Sequence, residues 1–272
     1  MAGRFEGRVI LVTGSTGMAA SAARSLADEG GSVFVASRTG EHVRELVEAI
    51  RAGGRRAAGI AADLGREDEV ERVIDACGEA FGQLDAVYNV AGISGRRFGD
   101  GPLHEATLAG WETVLRTNAT SLFLVSRAAI RWMLERPPDA LGRRGTILNM
   151  STVLARHPAP GHFATHAYAA SKGAIEALTR AAAAYYAPSG IRINAIAPGL
   201  VATPMSRRAQ EDAAIVDYLR RRQPLAAGAI AAGEVTTAAL FLLSDEAAMI
   251  TGQVLAVDAG WSVSDPGAGR PR

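Results

Sequence analysis

Cysteine is almost missing from the 272 residues: Cys77 stands alone, so no internal disulfide can form, and its flanks read as an amphipathic helix rather than a metal site. A reducing, cytoplasmic setting is the expectation. Net charge is nearly missing too, since 29 basic and 28 acidic side chains leave +1, which disfavours nucleic acid as a partner. Long apolar runs are absent. The N-terminal run ending in Thr13-Gly14 is short and preceded by Arg4, Glu6 and Arg8, which argues against a signal peptide or membrane span. Neither a solenoid period nor a break in composition divides the chain. Residues 1–264 are therefore expected to form one domain, and 265–272, rich in Gly, Pro and Arg, a disordered tail.

What is present is an alternation. Arg8–Thr13 is a continuous β-branched run, the pattern of a strand buried on both faces, and a glycine-bearing turn and an alanine-rich helix over Ala19–Glu29 follow it. Further strands are expected at Ser32–Ala36, Ala57–Ala61, Leu84–Asn89, Gly145–Met150, Ile191–Ile196 and Gln253–Val257. Between them lie helical stretches at Glu41–Ala52, Glu67–Phe81, Leu103–Leu134 with a break near Thr117, Ala167–Tyr186 and Val235–Leu243. Strands joined by crossover helices must run parallel. The expected fold class is α/β, a Rossmann-like doubly wound parallel sheet flanked by helices on both faces.

Ligands of such sheets bind beyond the carboxyl ends of the strands, so those ends are read together. The first carries Gly14, Thr16, Gly17 and Met18, where glycine permits a tight turn and lets backbone N–H groups approach a pyrophosphate. The second ends in Ser37 and Arg38. A carboxylate there would bind a free ribose hydroxyl, whereas a hydroxyl and a guanidinium with no acid nearby suit a 2′-phosphate, so NADP(H) is expected over NAD(H). The other ends offer Asp63 and Leu64, then Asn89, Ala91 and Gly92, and finally Pro198, Gly199, Val201 and Thr203.

Tyr168 and Lys172 are four residues apart in an alanine-rich helix, which puts a phenol and an ammonium on one face about one turn apart. A close positive charge favours the ionised phenol, and Tyr168 could then serve as general acid or base. The pair alone is also what chance and core packing produce.

In order along the chain, Thr13-Gly14, Asp63-Leu64, Asn89-Val90-Ala91-Gly92, Asn118, Tyr168-x-x-x-Lys172, Asn194-x-x-x-Pro198-Gly199, Thr203 and Ile250-Thr251-Gly252-Gln253 resemble the short-chain dehydrogenase/reductase family over Val9–Trp261. The resemblance implies that Tyr168 exchanges a proton with the substrate oxygen while hydride moves to or from the nicotinamide. It implies that Lys172 lowers the tyrosine pKa and bonds the nicotinamide ribose, and that Asn118 supports a water-linked proton relay. Asp63 and Leu64 would meet the adenine, Asn89 to Gly92 would floor the adenine and ribose, and Pro198 to Thr203 would meet the nicotinamide. The implied activity is interconversion of a small-molecule ketone and a secondary alcohol. A homotetramer is implied as well, using the Leu103–Leu134 and Ala167–Tyr186 helices and the C-terminal strand. Trp261 fits either that interface or the core.

Three departures bear on these expectations. The glycine loop is short, with Ala19 where the family has its last glycine. The hydroxyl that would orient the substrate carbonyl is Thr152, with Ser151 as the alternative. The loop Arg156–His166 is long and contains Pro158, Pro160 and Gly161, which argue against a helical metal pair at His162 and His166; no metal is expected. From Thr203 to Leu225 the chain resembles the family's mobile substrate loop, with a helical patch at Ala209–Arg222. Arg207, Arg208 and Arg220–Arg222 read first as a solvated basic face and second as an attraction for an anionic substrate. Two other functions stay open, a low-turnover dinucleotide sensor and an isomerase or dehydratase on the same scaffold.

Overall fold

The computed structural model describes residues 3–265, so the expected tail lies outside the described residues except for Asp265. Seven strands form one sheet: β1 (Val9–Thr13), β2 (Ser32–Ser37), β3 (Ala57–Ala61), β4 (Ala86–Asn89), β5 (Gly145–Met150), β6 (Ile191–Pro198) and β7 (Val254–Val257). Their order is β3-β2-β1-β4-β5-β6-β7 and every neighbouring pair is parallel. The β-branched run of β1 is buried throughout. Its alternate side chains enter different cores, Ile10 and Val12 on one face, Val9 and Leu11 on the other, as the two-residue period of a strand requires.

Helices cover both faces. On the first lie α1 (Gly17–Asp28), α2 (Gly40–Ala52) and, from later in the chain, α9 (Ala232–Leu243). On the second lie α3 (Glu67–Phe81), α5 (Ser121–Glu135) and α6 (His166–Tyr186). Cys77 sits in that second core, and burial pushes its thiol pKa up to about 12, which leaves it inert.

The long helix expected from Leu103 starts later, as α4 (Leu108–Leu115), because Thr107 caps it by accepting from the Gly110 N–H at 3.0 Å. The break near Thr117 exists as a π turn at Arg116–Thr120 between α4 and α5. The patch at Ala209–Arg222 divides into α7 (Arg207–Glu211) and α8 (Ala213–Arg222). The Asp212 carboxylate ends one and starts the other by accepting from the Ala214 and Ile215 N–H groups.

The strand order reverses between β1 and β4, so the connections leave in opposite directions there and open a crevice at the carboxyl edge. A third, smaller core lies over that edge, where Val153, Ala159, Ala209, Ile215, Leu219 and Trp261 pack together. It joins the long loop, α7, α8 and the residues after β7.

Candidate active site

Beyond β1 the chain turns at Gly14 and Gly17 with φ of +95° and +54°, values that L side chains rarely adopt. A Cβ on Gly17 would also press on Thr203 at 3.2 Å. The turn therefore brings backbone to the floor of a cleft that Thr16, Met18, Ser37, Arg38, Asp63 and Leu64 also line, with Ala91, Gly92 and Thr203 completing it. Replacement of the family's last glycine by Ala19 leaves this cleft open, and Ala19 packs in the first core. Arg38 is exposed and forms no ion pair among the described residues.

Asn89 differs from its expected place. Its side-chain amide donates to Ser126 Oγ at 3.1 Å and Asn149 Oδ1 at 3.0 Å, and Asn149 in turn donates to Thr179 Oγ1 at 3.0 Å. The side chain joins β4, β5 and the helices behind them, and residues Val90 to Gly92 line the cleft instead.

A second cleft adjoins the first across Met18, Val90, Gly92, Thr203 and Met205. It contains Thr152, Tyr168, Lys172, Pro198, Gly199 and Val201. Tyr168 lies in the first turn of α6 and Lys172 one turn further, as the spacing requires. The start of α6 is held from a distance, since its N-cap Thr165 makes no side-chain cap bond. Instead, buried Asp100 accepts from the Ala167 N–H at 3.0 Å and the Tyr168 N–H at 2.9 Å. Nothing in the sequence around Asp100 signals this contact, which joins chain segments 67 and 68 residues apart.

Lys172 is buried, and loss of water brings its pKa down to about 8. Its ammonium donates to the Met150 carbonyl at 2.7 Å and lies 5.8 Å from the Tyr168 ring centroid. An ammonium has three donors, so capacity remains beyond this one protein acceptor. The influences on the Tyr168 hydroxyl oppose one another. Burial raises the Tyr168 pKa, and the opposing influence is a hydrogen bond with Thr152, while Lys172 is drawn toward Met150.

The choice between the two hydroxyls after β5 follows from their partners. Thr152 faces Tyr168, whereas Ser151 Oγ donates to Glu176 Oε1 at 3.0 Å. Glu176 is buried on α6 and also accepts from Arg156 Nε at 2.5 Å, which fastens the start of the long loop. Asn118, fully buried in the π turn, lines neither cleft. Its Oδ1 accepts from the Ile93 N–H at 2.8 Å, and its Nδ2 donates to the Ile93 carbonyl and to Ser171 Oγ, both at 3.0 Å. Its side chain clamps the segment that follows β4 against α6.

The long loop joins the roof. His162 stacks on Tyr218 of α8 with centroids 4.5 Å apart, and Phe163 lies 6.1 Å from Trp261. His166 instead places Nδ1 2.7 Å from the Gly101 carbonyl oxygen, so the two histidines face different partners. Trp261 is buried in its own chain, donates to the His157 carbonyl at 3.0 Å and lines the second cleft. Of the basic residues after Thr203, only Arg208 lines that cleft; Arg221 pairs with Asp217, and Arg222 covers Trp261.

Known proteins are similar to this chain over most of its length. A family model described as enoyl-(acyl carrier protein) reductase matches residues 12–262. A cis-4-hydroxycyclohexanecarboxylate dehydrogenase of Sinomonas cyclohexanicum is 36% identical, over 95% of this chain and 98% of the relative. A 3beta-hydroxysteroid dehydrogenase of Eggerthella lenta is also 36% identical, over 95% of each chain. Among solved structures, a gluconate 5-dehydrogenase of Burkholderia cenocepacia, in complex with NADP and tartrate, aligns with a TM-score of 0.85 and 32% identity. That alignment covers 95% of this chain and 96% of the other.

Proposed function

The chain belongs to the short-chain dehydrogenase/reductase family of NAD(P)-dependent oxidoreductases acting on CH–OH and C=O groups, and from that premise we propose that it interconverts a ketone and a secondary alcohol on an apolar frame, with NADP(H) preferred. The observation that carries this reading is the grouping of Thr152, Tyr168 and Lys172 in a cleft that adjoins the glycine-turn cleft. When bound, the dinucleotide supplies or accepts the hydride.

The residues fit that cofactor. Gly14 and Gly17 expose backbone beside the start of α1, where a pyrophosphate is favoured, and the donor capacity of buried Lys172 suits ribose hydroxyls. Asp63 and Leu64 would hold the adenine, with Ala91 and Gly92 beneath it and the ribose. Pro198, Gly199, Val201 and Thr203 would hold the nicotinamide. Ser37 and Arg38 would take a 2′-phosphate, since the guanidinium has no acidic partner among the described residues and no acid follows β2 directly.

In reduction, the Tyr168 hydroxyl donates its proton to the substrate oxygen, and Thr152 holds that oxygen by a hydrogen bond. In oxidation the carbinol proton passes to the ionised form of Tyr168, the reverse of the same step. Asn118 keeps the Ile93 backbone and α6 in register beneath this pair. Such acid–base help contributes roughly 10²- to 10⁴-fold. The low-turnover sensor and the isomerase or dehydratase lack an observation of their own in their favour.

Residues 1–264 are read as one folded unit, a soluble protein of a reducing compartment. A homotetramer is proposed as well. An apolar hollow between α5 and α6, lined by Phe123, Ala174, Ile175 and Leu178, and the exposed Leu255 of β7 support it.

Ketones and secondary alcohols assayed with NADPH and NADH, against Tyr168→Phe, test the activity. We expect turnover with a lower KM for NADPH, and a loss of roughly 10²-fold or more in kcat in the variant, which keeps its cofactor affinity. Full hydride transfer by the variant would remove Tyr168 from its role, and a clear preference for NADH would remove Arg38 from its own.

A further inference from the structure

Arg96 and Arg208 come to the catalytic cleft from different parts of the chain, the first from the segment after β4 and the second from α7. The cleft they share is otherwise walled largely by Val153, Leu154, Phe163, Leu200, Met205 and Trp261. Both side chains are exposed at this cleft, and their like charges repel one another. The Arg96 pKa is lowered first by partial burial and then by the nearby charge of Arg208.

Two acids lie close to this pair, and only one of them pairs with an arginine of the cleft. Asp100 favours the charge on Arg96, but both its oxygens hold N–H groups at the start of α6. Asp212 caps α8 through Oδ1, and its Oδ2 forms a long ion pair with Arg208 at 4.0 Å on the exposed side of α7. Among the described residues, Arg96 has no ion pair, and its one hydrogen bond is a long one, 3.5 Å to the His162 carbonyl. That contact ties it to the long loop whose Phe163 lines the same cleft. Two forked donors that line one apolar chamber, Arg96 without an ion pair among the described residues and Arg208 with only a long one, suit a planar anion.

We propose that the substrate carries a carboxylate, separate from its reacting carbonyl or carbinol, that Arg96 and Arg208 bind while its apolar body fills the cleft. The inference rests on reading this cleft as the place of ketone and alcohol interconversion, and it makes Arg96 and Arg208 specificity-determining residues. The same anion, by neutralising the pair, would draw the segment after β4, the long loop and α7 together around the substrate.

Matched probes decide it. 4-Oxocyclohexanecarboxylate and its methyl ester share the ketone and ring and differ in the charge. With the wild-type holoenzyme, the acid is expected to show a KM at least about tenfold below the ester, the scale of a charge-assisted contact. Added salt should raise the KM of the acid and leave that of the ester. In Arg96→Gln/Arg208→Gln the ratio of the two KM values should fall close to one. Calorimetry gives a readout free of turnover: cyclohexanecarboxylate, which has no ketone, should bind the NADP-loaded wild type and bind the double variant about tenfold more weakly.

Equal KM values for acid and ester in the wild type would overturn the proposal, as would a ratio that survives both substitutions. If neither ketone is turned over with either cofactor, the oxidoreductase reading of these probes fails by itself. The anion site then stands on arginine-dependent binding of cyclohexanecarboxylate and falls without it.

Discussion

Lys172 is the one lysine among 29 basic side chains, and the other 28 are arginines. At every other cationic position the chain uses a group that never loses its proton, and here alone a compact amine that can. Its burial explains the use and predicts a cost. The folded pKa of about 8 lies below the ordinary 10.5, so the folded state releases its proton first as pH rises. Below about 8 the fold must keep a desolvated ammonium, and the full penalty applies. Between about 8 and 10.5 the unfolded chain binds more protons, and stability recovers with rising pH. Lys172→Met should therefore abolish activity yet stabilise the fold at pH 7 by roughly 1–3 kcal/mol, reduced by loss of the bond to the Met150 carbonyl. Chemical denaturation of both proteins at pH 7 and pH 10 checks this; an advantage that stays constant with pH would refute the buried-ammonium account. The four-residue spacing made the pairing of Lys172 with Tyr168 legible. It did not reveal that Lys172 would bond the Met150 carbonyl, because β5 and α6 meet only in the tertiary structure.

The element that matters most is α6, and its beginning is held by a carboxylate from another part of the chain. Two N–H groups of its first turn, one of them Tyr168's own, donate to Asp100. Asp100→Ala should cost about 1–2 kcal/mol of stability, the scale of a lost helix cap. It should lower kcat more than it raises KM, because the first turn carries the phenol. Asp100→Asn keeps an acceptor and should recover part of both. Equal kcat in the wild type and the alanine variant would show that the cap does not position Tyr168. Local pattern did reveal α6 itself and the interruption near Thr117, since alanine-rich periodicity and its failure are properties of neighbouring residues. The start of α4 and the division of α7 from α8 were missed, because single side chains, Thr107 and Asp212, cap backbone there.

At the scale of the whole molecule, crossover connections and parallel pairing leave one crevice where the strand order reverses, and both clefts open there. Light scattering at micromolar concentration is expected to give a particle of four chains, with the hollow between α5 and α6 covered by a second copy; a monomer would refute this. The sequence by itself determined the alternation of strands and helices, the edge at which the polar strand ends collect, and the spacing of Tyr168 and Lys172. These follow from periodicity and from backbone connection rules, which act over short stretches of chain. Only the tertiary structure decided that Asn89 would brace the interior, that Thr152 rather than Ser151 would face the phenol, that Trp261 would line the cleft of its own chain, and that Arg96 would meet Arg208. Each of those outcomes depends on which distant groups compete for the same hydrogen bond or charge, and packing settles that competition.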